Sequence, residues 1–331
     1  MILNEVKWGI IGCGDVTEVK NGPPLYKIPH SYLTAVMRRN SELAADYARR
    51  HHVQKWYTDA TQLIEDPDVN AVYIATPPDK HAQYAIQAME AGKPVYVEKP
   101  MARTHAECQE MMRISEQTGI PLFVAYYRRA MPLFLKVKEL VKQGIIGKPL
   151  TVNIRLYKQA TEKGMSEQEL PWRIKPEIAG AGHFYDLASH QLDFLDFLFG
   201  PISRVSGIAE NRAGYYPAED TISASFGFGN GVVGAGHWCF VVDKSAEKDI
   251  IEICGTKGNL RFGCYNPFRL VLKSPEGNIE FNFPKPEHVG SGLISLVVDE
   301  LRGKGKSPST GTSAARTNRV MEEVVKGYYR K

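Results

Sequence analysis

The chain has 331 residues, room for two domains at ~150 residues each. Lys and Arg number 41 against 37 Asp and Glu, a net charge of +4, with 43% apolar and 24% charged residues. This balance excludes a disordered chain, and without a long Lys/Arg block it excludes a basic-tail nucleic-acid binder. No stretch approaches the ~20 apolar residues of a membrane helix, so no membrane partner is expected. The N-terminal run MILNEVKWGIIGCG does not read as a signal peptide, because Glu5 and Lys7 precede a short apolar core that runs into glycines. The five cysteines are scattered and never form CxxC, which reads as reduced thiols in a cytoplasmic protein.

The first 125 residues alternate strand and helix signals. VKWGIIG and LTAVMR are apolar runs of strand length; SELAADYARRHH (41–52) has helical spacing, with Ser41 as its expected cap. AVYIAT is a third strand, closed by Pro77 and Pro78, and HAQYAIQAMEAG is a helix ending at Gly92. PVYVEKP is a fourth strand. THAECQEMMRISEQTG is a helix capped by Thr104 and stopped by Gly119, and PLFVAYY is a fifth strand. Continuous apolar strands alternating with helices predict an α/β domain with a parallel sheet.

From residue 126 the pattern changes. A helix at 133–144 and a strand at 148–159 precede a polar loop over 161–182 and a helix over roughly 183–199. TISASFGFG, GVVGAGHWCFV, DIIEICGT, GNLRFGC and RLVLKSPEGNIEFNF follow as strands joined by turns, with no helix between them. Residues 126–331 are therefore expected to form an α+β domain with a large, mostly antiparallel open sheet, ending in helices near 291–302 and 313–328. Val, Phe and Ile alternating along those strands predict an apolar face buried in a homodimer or homotetramer.

In IIGCGDVT, Gly12 and Gly14 fit the first two glycines of G-x-G-x-x-G. The first allows a tight turn; the second lets backbone approach a pyrophosphate at a helix N-terminus. The loop Gly12-Cys13-Gly14-Asp15-Val16 is thus a candidate cofactor site, although such a turn alone is equally an ordinary strand-to-helix connection, and Thr17 stands where the third small residue belongs. The second strand ends in Met37-Arg38-Arg39-Asn40, without the acid that would accept from a ribose 2′-hydroxyl. Arg38 and Arg39 suit a 2′-phosphate instead, so NADP is expected over NAD, with NAD still possible.

Glu98 and Lys99 close a strand at its carboxyl end, where ligands of open α/β sheets bind. In GAGHFYDLASHQLDFLDFLFG, helical spacing puts His183, Asp186, His190 and Asp193 on one face of an otherwise apolar helix. Three readings compete: polar residues that satisfy one another, a zinc or manganese site, and an acid/base pair in which Asp186 orients His190.

Taken together, IIGCGDV, IATPPDKHAQYAIQAMEAGKPVYVEKPM, VAYYRRAMP, PWRIKPEIAGAGHFYDLASHQLD and STGTSAARTNRVMEEV resemble the Gfo/Idh/MocA family of nicotinamide-dependent oxidoreductases over essentially the whole chain. The resemblance implies an N-terminal Rossmann domain and a C-terminal domain whose open sheet often serves as an oligomer interface. It implies that Lys99, Asp186 and His190 line the substrate pocket, with His190 as acid/base, and that no metal is needed. It places Thr76, Pro77 and His81 beside the cofactor, with Glu98 and Arg128 among its contacts, and Tyr126, Trp172 and Arg173 toward substrate. The implied reaction is oxidation or reduction at a secondary alcohol or ketone of a sugar or cyclic polyol. An NAD-dependent glycosidase of the same family would keep the same Lys/Asp/His set. A non-catalytic dinucleotide sensor usually loses the lysine or histidine, and both are present. The long segment VTEVKNGPPLYKIPH implies a short or distorted first helix.

Overall fold

The computed structural model describes residues 2–265 and 267–329. Two compact units emerge, one of Met1–Ala130 with Pro286–Ala315, the other of Met131–Lys285 with Arg316 onward.

The first unit opens with β1 (Val6–Ile11), followed by two short helices, α1 (Asp15–Val19) and α2 (Pro24–Lys27). The expected distortion of the first helix is real. Thr17 is buried, and a Cβ on Gly22 would run into its carbonyl oxygen; Pro23 and Pro24 follow at once. Then come β2 (Ser31–Met37), α3 (Ser41–Arg50), β3 (Lys55–Tyr57), α4 (Ala60–Glu65), β4 (Ala71–Ile74), α5 (His81–Glu90), β5 (Val95–Val97), α6 (His105–Thr118) and β6 (Leu122–Val124). The sheet order is β3-β2-β1-β4-β5-β6, with every pair parallel. Thr104 caps α6 through a reciprocal box with Glu107, as the sequence indicates. Ser41 does not cap α3: it is the first helical residue, and the Asn40 side chain accepts the Leu43 amide at 2.9 Å. Neither β3 nor α4 is predicted. The strand is a three-residue edge segment, too short to show a period, and the six-residue helix is announced only by Asp59, which accepts from Thr61 and Gln62.

The second unit contains α7 (Pro132–Lys142), β7 (Pro149–Gln159), α8 (Pro176–Ala179), a π-helical turn (Phe184–Ala188) leading into α9 (Ser189–Phe199), β8 (Ile202–Glu210), β9 (Thr221–Phe228), β10 (Val233–Val242), β11 (Lys248–Gly255), β12 (Asn259–Phe262), β13 (Arg269–Ser274) and β14 (Gly277–Asn282). Its sheet runs β14-β13-β12-β11-β7-β10-β9-β8, antiparallel except for β7 beside β10. The unpredicted strand β8 is an edge strand that buries little beyond Ile202 and Ala209, so it lacks the apolar alternation of a half-buried strand. Val152, Ile154, Leu156, Phe226, Trp238, Phe240, Ile251 and Ile253 lie on the buried face. The other face carries Asn153, Arg155, Ser225, His237 and Arg261, all exposed. The alternating Val, Phe and Ile point mainly inward, and the outer side carries Ile208 (70% exposed) and Val233 (54%) together with the partly exposed Ile250 and Val271.

The helix α10 (Ser291–Leu301) does not belong to the second unit, where the expected boundary at 126 would put it. Its Leu293, Ile294, Val297, Val298 and Leu301 pack with Trp8, Ile10, Tyr73, Tyr96 and Phe123 on one face of the parallel sheet. The last helix, α11 (Gly311–Tyr329), contributes Ala314 and Ala315 to the core on the opposite face. No helix among the described residues is long and apolar enough to cross a membrane. All five cysteines are free thiols.

Candidate functional site

In the first unit the candidate residues gather at the carboxyl ends of β1, β2, β4 and β5. Order reverses between β1 and β4, which makes this edge the switch point of the sheet. Gly12 has φ +90°, and a Cβ there would stand 2.7 Å from Thr76 Cγ2 and 2.9 Å from the Thr76 amide nitrogen. Gly14 is extended, and a Cβ there would meet nothing nearer than the Gly12 carbonyl oxygen at 3.9 Å. The loop therefore closes tightly at Gly12 and stays open at Gly14.

Thr17, the departure from the glycine pattern, fits by using its hydroxyl. It accepts the Gly14 amide at 2.9 Å and donates to the Gly14 carbonyl at 2.7 Å. Its own carbonyl accepts from Tyr47 Oη at 2.9 Å. The amides of Gly12 and Cys13 donate to Met37 O. Those of Asp15 and Val16, at the start of α1, have no partner within the helix. Thr76 Oγ1 is buried without a hydrogen-bond partner. An open glycine, two first-turn amides and an orphaned hydroxyl at a switch point fit a dinucleotide pyrophosphate. Cys13 is buried, and burial pushes its thiol up to about 11 despite Arg38, so it is an inert packing residue. Arg38 Nη1 donates to Cys13 O at 3.3 Å, which sets the guanidinium beside the glycine loop, while Arg39 is exposed.

Three expected cofactor residues turn inward. His81 is fully buried; Nε2 faces Thr76 O at 2.8 Å and Nδ1 faces Pro100 O at 3.0 Å, so its ring spans the ends of β4 and β5. Burial lowers its pKa although both carbonyls favour the charged ring. Glu98 is also buried. Its carboxylate accepts from Tyr73 Oη at 2.7 Å, from Asn21 Nδ2, and from the Lys99 amide at 3.2 Å. Glu98 thus anchors the backbone of Lys99, whose peptide to Pro100 is cis. Arg128 is buried with its guanidinium 5.1 Å from the Tyr127 ring centroid. Tyr126, expected toward substrate, packs in the core of the parallel sheet. Pro77 opens the single 3₁₀ turn Pro78–Lys80 before α5.

In the second unit Asp186 lies within the π-turn and His190 in the first turn of α9. Such wide turns recur at functional sites. Arg173 Nε lies 3.5 Å from Asp186 Oδ2, and its guanidinium stacks 4.5 Å from the Trp172 ring centroid. The predicted Trp-Arg pair is therefore brought to Asp186. His190 is buried, with the Tyr265 ring 6.4 Å away edge-on; Tyr265 Oη donates to the Leu187 carbonyl of the π-turn at 2.8 Å.

His183 separates from the polar stripe. Its Nε2 is 3.1 Å from Glu162 Oε1, and its ring packs on Tyr216 and Phe240. The wide turn breaks the α-helical spacing that would align it with Asp186 and His190. Burial pushes the Glu162 carboxyl up, but hydrogen bonds from His183 and Thr161 outweigh it and hold the group at about 2. No group of three His, Cys, Asp or Glu among the described residues is gathered to hold a metal ion. Asn21 and Glu162 lie in loops without a motif and carry no sequence signal beyond the turn-forming run NGPP at Asn21.

The family profile described as "Oxidoreductase family, NAD-binding Rossmann fold" matches residues 6–126, and the GFO/IDH/MocA C-terminal domain profile matches residues 134–261. The chain is 37% identical over 322 residues to Oxidoreductase P35 of Formosa agariphila, covering 96% of this chain and 98% of that one. It is 30% identical over 250 residues to levoglucosan dehydrogenase of Pseudarthrobacter phenanthrenivorans, covering 69% and 64%. A solved levoglucosan dehydrogenase in complex with NADH and L-sorbose superposes with a TM-score of 0.84 at 25% identity, covering 98% of this chain and 97% of the other.

Proposed function

The chain belongs to the GFO/IDH/MocA family of oxidoreductases, and from that premise we propose that it oxidises or reduces a secondary alcohol or ketone of a sugar or cyclic polyol, with NADP preferred. The observation that carries this reading is the π-turn segment, which sets Asp186 four residues before His190 and fixes its carboxylate against Arg173 at 3.5 Å. The nicotinamide, when bound, accepts or donates the hydride. His190 takes the hydroxyl proton in the oxidative direction and returns it in the reductive one. Asp186 orients that imidazole. Lys99 stabilises negative charge developing on the substrate oxygen. Trp172 offers an apolar face to a sugar ring, and the levoglucosan dehydrogenase complexes support a carbohydrate substrate.

The NADP preference rests on Arg38 beside the glycine loop and on the absence of an acid after β2. The outer face of the eight-stranded sheet, with Ile208 and Val233 exposed, is the surface through which the chain forms a homodimer or homotetramer.

A panel of sugars and polyols followed at 340 nm with NADP and with NAD tests the reading. Turnover with at least one carbohydrate and a preference for NADP is expected. No turnover with any carbohydrate would sink it, and sugar release without net NADH would replace it with the glycosidase reading.

A further inference from the structure

A second polar cluster in the second unit lies outside the proposed chemistry. Glu219 is fully buried just before β9. Both of its carboxylate oxygens accept the Gly182 amide, each at 3.1 Å, and Oε2 also accepts from Tyr329 Oη. Gly182 lies two residues before the π-turn, and its carbonyl accepts the Tyr185 amide at 3.0 Å. No side chain fits there: a Cβ would stand 2.8 Å from Ala218 Cβ and 2.9 Å from Glu219 O. Tyr329 lies at the end of α11, and its neighbour Tyr328 donates to Pro217 O at 2.9 Å. Two consecutive tyrosines of the last helix therefore dock on the segment that carries Glu219.

We propose that Glu219 is a positioning residue, a latch through which the end of α11 holds the head of the segment bearing Asp186 and His190. This rests on the assignment of those two residues to the reaction. A π-turn is a wide, poorly propensed turn, so its register depends on what fixes its ends. Tyr265 fixes its far part through Leu187 O, and Glu219 fixes its start through Gly182. A carboxylate buried this completely is costly unless it has fixed partners. Burial lifts Glu219 to about 7, an effect that the Tyr329 and Gly182 bonds only partly offset.

The test combines kinetics with histidine-selective ¹³C NMR on the full chain. Glu219→Ala should lower kcat by about 10–100-fold, the scale of a small misplacement of reacting groups, with the KM for dinucleotide within about twofold. Tyr329→Phe, which removes one hydrogen bond at a helix end, should lower kcat by about three- to tenfold. Glu219→Gln keeps an acceptor for Gly182 and should restore most of the activity lost in the alanine variant. The ring signals of His183 and His190 should move in the alanine and phenylalanine variants, while that of His237, on the exposed face of β10, stays in place. The NMR readout needs no substrate. If the wild type turns over no carbohydrate while the signals move, the functional reading fails and the latch stands. Signals that stay in place with kcat within twofold of wild type, in a folded Glu219→Ala or, failing that, in Tyr329→Phe, would overturn the latch.

Discussion

The contrast between Gly12 and Gly14 gives a sharp test of the glycine loop, because alanine should do different harm at each. At Gly12 the backbone is left-handed, which costs a residue with a Cβ roughly 1–2 kcal/mol. The new methyl would also stand 2.7 Å from Thr76 Cγ2 and 2.9 Å from the Thr76 amide nitrogen. The second contact is with backbone at the end of β4 and cannot be relieved by a rotamer change. Overpacking of that kind adds roughly 1–3 kcal/mol, so about 3 kcal/mol of stability is lost in all. At 2–4 °C per kcal/mol this lowers the melting temperature by about 6–12 °C. At Gly14 the backbone is extended and the nearest atom to a new Cβ is 3.9 Å away. Gly14→Ala should melt within about 2 °C of wild type, yet its methyl fills the space a pyrophosphate needs and should weaken dinucleotide binding about tenfold or more. Thermal melts and calorimetric titration with NADP measure both. A Gly14→Ala variant that binds NADP normally, or a Gly12→Ala variant that melts like wild type, would refute the reasoning.

Arg38→Asp should shift preference toward NAD by at least about tenfold, since it replaces a charge-assisted contact with repulsion; equal affinity of the wild type for both dinucleotides, by titration, counts against it. Stability should fall on both sides of a mildly acidic optimum. Glu162 sits at about 2, below its ordinary value near 4.5, so its contribution is present above that value and disappears as pH falls toward 2. Glu219 sits at about 7, so its contribution is complete below its ordinary value and is lost as pH rises through 7. Glu219→Gln should therefore flatten the decline between pH 5 and 8, by about 3 kcal/mol at most, in urea melts at each pH; an unchanged slope contradicts that assignment. Light scattering at micromolar concentration should show a dimer or tetramer that an Ile208→Arg variant weakens, and a wild-type monomer would contradict the assembly.

The parallel sheet was readable in the sequence because buried parallel strands are short continuous apolar runs, and AVYIAT, PVYVEKP and PLFVAYY keep that signal whatever surrounds them. The edge strands β3 and β8 were not, since an edge strand packs on few neighbours and its residues are free to be polar. The placement of α10 depends on packing across 280 residues of sequence, roughly the span from Trp8 to Leu293, which no local pattern encodes. A motif gives a residue's place in the chain but not the direction of its side chain. Glu98 and His81 sit where the pattern puts them yet face Tyr73 and the Thr76 and Pro100 carbonyls. His183 left the helical stripe because a π-turn widens the spacing that sequence counting takes as constant. Glu162 and Glu219 carried no signal, since a lone glutamate in a loop is ordinarily solvated.

The central claim, that His190 manages the substrate proton while the first unit holds the dinucleotide, is tested most directly by His190→Asn, with kcat and NADP affinity measured on the same preparation. Loss of a general acid/base costs about 10²–10⁴-fold in rate. The account predicts a fall in kcat of that size, with the dissociation constant for NADP within about twofold of wild type. Near-normal turnover of His190→Asn on a carbohydrate that the wild type oxidises or reduces would contradict it.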